Sequence, residues 1–110
     1  MKRFVRSAAR DDILRQFRYY LIEQKVPDVA LQFLAAAEEA IRAVTTDPGI
    51  GSPRSFPQAK LAGLRSWPVP GFEDMRVYYV EQANTIRIVR VLHGKRDVRR
   101  ILRREDPSAE

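Results

Sequence analysis

Residues 75–81, MRVYYVE, and 85–93, TIRIVRVLH, decide the fold. Both are rich in β-branched and aromatic residues, and the polar triplet Gln82-Ala83-Asn84 between them is short enough to join only antiparallel neighbours. Upstream, Leu64 to Val69 (LRSWPV) forms a third apolar run, with Pro68, Pro70 and Gly71 closing it because proline cannot continue a ladder. The expectation is a three-stranded antiparallel meander.

The last strand is apolar on both sides. Strict alternation puts Ile86, Ile88 and Leu92 on one face and Val89 and Val91 on the other. Either another part of the chain covers the second face, or a partner does. Arg87 and Arg90 must in each case be paired or reach water. Beyond His93-Gly94-Lys95-Arg96, Asp97 reads as an N-cap for a short amphipathic helix. Val98, Ile101 and Leu102 form its apolar side, and Arg99, Arg100, Arg103 and Arg104 fill the other positions. At about two turns this helix cannot stand alone in water, so it must dock.

Working back toward the start, Lys2 to Arg6 (KRFVR) reads as an edge strand. Ser7 is the expected N-cap of a helix from Ala8 to about Lys25, with Ala9, Ile13, Phe17, Tyr20 and Leu21 as its inward stripe. Asp11 and Asp12 read as solvated carboxylates complementing the helix dipole. Val26-Pro27-Asp28 ends that helix and starts a second, to Val44, whose stripe is Ala30, Phe33, Leu34, Ala37, Ile41 and Val44. So short a connection makes the two an antiparallel hairpin. Residues 47–62 read as a loop anchored by Phe56 and Leu61. The fold class is therefore α+β: a helical hairpin packed on a three- to four-stranded antiparallel sheet, in the order β-α-α-β-β-β, with a short basic terminal helix.

At 110 residues the sequence reads as one domain, 1–110, able to bury about two thirds of its unfolded surface. Twenty Lys and Arg against fourteen Asp and Glu give a net charge of +6, and an acidic partner is expected, nucleic acid or protein. With no cysteine and one histidine, neither thiol chemistry nor a transition-metal site is expected, and no cofactor is. The N-terminus lacks the apolar core of a signal peptide and no apolar run has the length of a membrane span, so a cytoplasmic protein is the default. No G-x-S-x-G accompanies His93, which excludes a serine hydrolase of that type, and His93 beside Gly94 reads as structural.

The combination GLRSWPVPGF (63–72), RVYYV (76–80) and IRIVRVLHGKRD (86–97) resembles the ParE branch of the RelE/ParE toxin superfamily, over roughly residues 2–104. The resemblance implies a type II toxin–antitoxin toxin that inhibits DNA gyrase by binding and is neutralised by a ParD-type antitoxin. It implies target or antitoxin contacts at Arg65, Trp67, Arg76, Arg90, His93, Arg96, Arg99, Arg100 and Arg103, with Trp67 and the apolar sheet face receiving the antitoxin. The RelE branch instead cleaves mRNA on the ribosome. Arg76 and Arg96 match two of its arginines, but Leu102 stands where it has a tyrosine, and Arg65 and Trp67 where it has paired lysines. The expectation is thus a binding toxin rather than an enzyme, with a ribosome-dependent ribonuclease or a non-toxic nucleic-acid-binding relative as alternatives.

Overall fold

The computed structural model describes residues Met1–Glu110. Five strands form one mixed sheet: β1 (Lys2–Val5), β2 (Ser52–Pro53), β3 (Arg65–Val69), β4 (Phe72–Gln82) and β5 (Thr85–His93). Their spatial order is β1-β5-β4-β3-β2. The meander β3-β4-β5 is antiparallel as expected, and KRFV is indeed an edge strand. The sheet is larger than expected because β1 adds in parallel to β5 and part of the 47–62 segment, as β2, pairs with β3. Parallel pairing is open to β1 because a long crossover, the helical hairpin and the meander, separates it from β5.

Two turns fix the meander's register. At Pro70-Gly71 the chain reverses with φ +79° at Gly71, where glycine carries no steric penalty. Pro68 does not end β3 but pairs with Arg76, and a register shift follows it, which accommodates the missing N–H. Between β4 and β5, Ala83 (φ 50°) and Asn84 (φ 64°) make the tight reversal, both in the left-handed region that a two-residue hairpin demands.

A second irregularity corrects the expected facing of β5. Tyr78 pairs with Arg90 but Tyr79 with Ile88, so Val89 is an extra residue opposite a continuous β4. The bulge inverts the alternation beyond it. Ile86, Ile88 and Val91 share the inner face, whereas Val89 and Leu92 share the outer. Tyr78 and Tyr79 are both buried, one on each side of β4.

The inner face packs on helices α1 (Ser7–Arg18) and α2 (Pro27–Thr46), with Phe33, Ile41 and Val44 of α2 meeting Val77, Tyr79 and Ile88. Pro27 occupies the first turn of α2, where its missing N–H costs nothing. Ser7 is the first helical residue rather than the N-cap, which is Arg6 and offers no side-chain bond. Between the helices, Tyr19–Glu23 form a π-helical turn, with Gln24 N–H reaching back to the Tyr19 carbonyl. Its wider turn shifts the helical phase. Leu21, expected inward, is therefore exposed beside Ile22.

The outer face is covered by the chain itself, so the alternative of an open second face is not realised. Helix α3 (Val98–Arg103) places Leu102, fully buried, against Leu64, Tyr78, Val80, Val89 and Leu92, with Phe56, Val98 and Ile101 at the margin. Asp97 caps α3 as expected, its Oδ1 accepting from Arg100 N–H at 3.2 Å. Leu61 is fully buried too, which holds the 47–62 segment to the body of the protein as expected. No helix is long and apolar enough to cross a membrane.

Candidate functional site

The arginines of the C-terminal half fall into three kinds by what they touch. Arg90 is structural in its contacts: Nε and Nη2 donate to the Asp12 carboxylate at 2.7 and 2.8 Å, and Nη1 reaches Glu105 at 3.3 Å. Asp12 also accepts the Val91 N–H at 3.0 Å. This corrects the expectation that Asp12 is solvated, since its side chain is 2% exposed. The hydrogen bonds that Arg90 donates to Asp12 hold its guanidinium above its ordinary pKa, outweighing burial, with the charges of Asp12 and Glu105 adding to the effect. Glu105 also binds Arg6 at 2.6 Å, and the exposed Arg15 reaches Asp12 at 3.4 Å, so three arginines and two carboxylates alternate in one chain, Arg6–Glu105–Arg90–Asp12–Arg15.

A second group lies on β3 and β4. Arg65 donates to the Gly51 carbonyl at 2.7 Å, and Gly51 N–H donates to the Tyr79 hydroxyl, which in turn donates to the Pro48 carbonyl. Side chains on Gly51 are excluded, because an added Cβ would lie 2.9 Å from the Ser66 carbonyl oxygen. Trp67 is half-buried against the inner cluster, not on the outer face with Arg76. Arg76 shares the buried Ser66 hydroxyl with Arg54, at 3.0 and 2.9 Å. Burial first, and then the neighbouring Arg54 cation, lower the Arg76 pKa.

The third group is free. Arg96, Arg100 and Arg104 line a cleft of about 460 Å³ beside α3, with Arg90, Asp97, Ile101 and Glu105 completing it. These three guanidinium groups, and that of Arg103, are exposed and have no acceptor within the chain. Arg99 is anchored instead, over the Phe56 ring at 4.4 Å and on the Ser55 carbonyl.

His93 belongs elsewhere. It lines a larger cleft of about 630 Å³ with Gln16, Tyr19, Tyr20, Phe72 and Asp74. Its Nδ1 accepts the Lys95 N–H at 3.1 Å, and its Nε2 stands 3.9 Å from Asp74. The nine residues expected to act together are thus divided. Arg96, Arg100 and Arg103 stay at or near one exposed basic edge, Arg65 and Trp67 lie toward the helices, and Arg90 is committed to its ion pairs. Asp12, Glu105, Arg54 and Ser66 were not legible as members, because each is identified only by a partner distant in sequence.

The fold has known counterparts. The solved structure described as "Chromosomal ParDE TA system from P. aeruginosa" superposes with a TM-score of 0.69, covering 84% of this chain and 95% of that one at 18% identity. At that identity the likeness shows a shared α+β fold. The family described as "ParE toxin of type II toxin-antitoxin system, parDE" matches residues 4–98. The chain belongs to this family of toxins. No curated protein matches the sequence.

Proposed function

We propose that this toxin acts in the cytoplasm by binding, that its target is DNA gyrase, and that a ParD-type antitoxin neutralises it. One observation carries the choice of binding over bond breaking: the free arginines and the only histidine line separate clefts. Metal-free RNA cleavage needs a proton-transfer group within hydrogen-bond reach of the phosphate-holding cations. In the arginine cleft the two carboxylates are already engaged, Glu105 by Arg6 and Arg90, and Asp97 by its capping bond. Leu102, at the position of the RelE-branch tyrosine, is fully buried and apolar.

Arg96, Arg100, Arg103 and Arg104 form the target-facing edge. The antitoxin's amphipathic segment finds its apolar surface on the hairpin, where Leu14, Leu21, Ile22 and Leu31 are exposed, because the outer sheet face is filled. A supercoiling assay tests both parts. Stoichiometric toxin should abolish gyrase supercoiling, antitoxin should restore it, and R96Q/R100Q/R104Q should weaken inhibition while still binding antitoxin. Supercoiling untouched by excess toxin, or ribosome-dependent mRNA cleavage, would overturn the proposal.

A further inference from the structure

Arg54 and Arg76 are held together on the outer side of the sheet without a counter-charge. Both Nε atoms donate to one acceptor, the hydroxyl of the fully buried Ser66, at 2.9 and 3.0 Å, so a single oxygen atom separates the two guanidinium groups. None of the chain's ion pairs includes either arginine. Both Nη atoms of Arg54 and Nη1 of Arg76 have no acceptor within the chain, and Arg76 Nη2 has only the Ser66 carbonyl at 3.4 Å. Like charges held this close repel, and the cost registers at Arg76, whose pKa is lowered by burial first and then by Arg54.

A third group converges on the pair. Tyr78 stands opposite Ser66 across β4 and β3, only 2% exposed in the outer cluster, and the Arg54 guanidinium lies 5.9 Å over its ring. Its hydroxyl makes no hydrogen bond within the chain, yet its oxygen is not sealed from solvent. Burial raises the pKa of the phenol, opposed by Arg54 and then Arg76, so near neutral pH it keeps its proton and remains a donor. A buried polar group without a partner is costly, and so are two unneutralised cations on one hydroxyl. One oxyanion relieves both. We propose that Arg54, Arg76 and the Tyr78 hydroxyl form a phosphate-binding site, with Ser66 as the fixed joint between the two arginines. Phosphate suits the site better than carboxylate, because it can offer each of the three donors its own oxygen and carries more charge to set against two cations. Of these four residues only Arg76 is among the contacts that the family resemblance implies. None of them lines the α3 cleft of Arg96, Arg100 and Arg104, so the failure of this site would leave the target-facing edge standing.

The test is a titration of the full chain with sodium phosphate at constant ionic strength, read by calorimetry and by the Nε–H resonances of Arg54 and Arg76. Both resonances should shift along one binding curve. R54Q and R76Q should each weaken binding at least about tenfold, the loss of a charged hydrogen bond, and Y78F about two- to tenfold, the loss of a neutral one. Y78F removes a hydroxyl with no partner in the chain, so without phosphate its Tm should match that of the unaltered protein, which separates loss of the site from loss of the fold. R96Q/R100Q/R104Q should keep the same curve. A short single-stranded oligodeoxynucleotide distinguishes the sources of the group. Binding through the same three side chains but more tightly than inorganic phosphate identifies a backbone phosphate, and weaker binding identifies free phosphate. Unmoved Arg54 and Arg76 resonances, an affinity unchanged in R54Q or Y78F, or acetate bound as tightly as phosphate would each overturn the proposal.

Discussion

Replacing Asp12 by asparagine removes one charge and almost no volume, and it should be among the most damaging substitutions on the helical layer. Asp12 accepts three N–H donors from β5, two from the Arg90 guanidinium and one from the Val91 backbone, in a position 2% exposed to solvent. An asparagine can retain one or two of these bonds. It leaves Arg90, 15% exposed, with Glu105 alone at 3.3 Å, and Glu105 is shared with Arg6. Breaking a buried pair on one side costs about 3–5 kcal/mol. Residual exposure and the remaining carboxylate place D12N near the lower end, about 3 kcal/mol, a large part of the ~5–15 kcal/mol that holds a domain together. For an m-value of about 1.5 kcal/mol/M the urea midpoint should fall by about 2 M with m unchanged. Urea titrations followed by circular dichroism on D12N, R90Q and D12N/R90Q close a double-mutant cycle, and the double variant should lose about 0.5–3 kcal/mol less than the sum of the singles. A loss from D12N of no more than about 1 kcal/mol, which is what a solvated carboxylate near a helix start contributes, would refute the reasoning, as would simple additivity.

Ala83 holds φ 50° at the first loop position of the β4-β5 hairpin, a conformation that asparagine tolerates far better. A83N should therefore stabilise the protein by about 0.5–1 kcal/mol, which calorimetry would register as a rise in Tm of a few degrees. Burial raises the pKa of both Tyr78 and Tyr79, most strongly opposed by Arg54 at Tyr78 and by the Gly51 hydrogen bond at Tyr79. The folded state thus keeps phenolic protons that the unfolded chain gives up near its ordinary value of 10.0. Stability is fully present below that value and should fall as pH rises above it, read as a declining urea midpoint with phenolate absorbance appearing as the protein unfolds. Y79F should reduce the fall. In R87Q the C-terminal segment 105–110 loses three bonds to its carbonyls and the ring contact with Phe4, so hydrogen exchange at residues 108–110 should accelerate while global stability drops by about 1–2 kcal/mol. Unchanged exchange would show that Arg87 does not hold the C-terminal segment.

The meander, the helical hairpin, the capped basic helix and the toxin resemblance are all legible along the chain. Each is written in a period, a turn residue or a motif within a few tens of residues, the range over which chain geometry repeats. Residues such as Val77, Ile88, Phe33 and Val44 declare their burial because apolar periodicity is a local signal. The rest depends on contacts made when the layers come together. One extra residue at Val89 reverses the faces of Val91 and Leu92, and a π-helical turn carries Leu21 outward; both break the period on which the local inference depends. Asp12 finds Arg90 across 78 positions of sequence, and residues 105–110 are taken up by Arg6 and Arg87. Nothing in the neighbourhood of Asp12 marks it as the carboxylate to be buried, because the free energy of that pair is gained only when α1 is laid on β5.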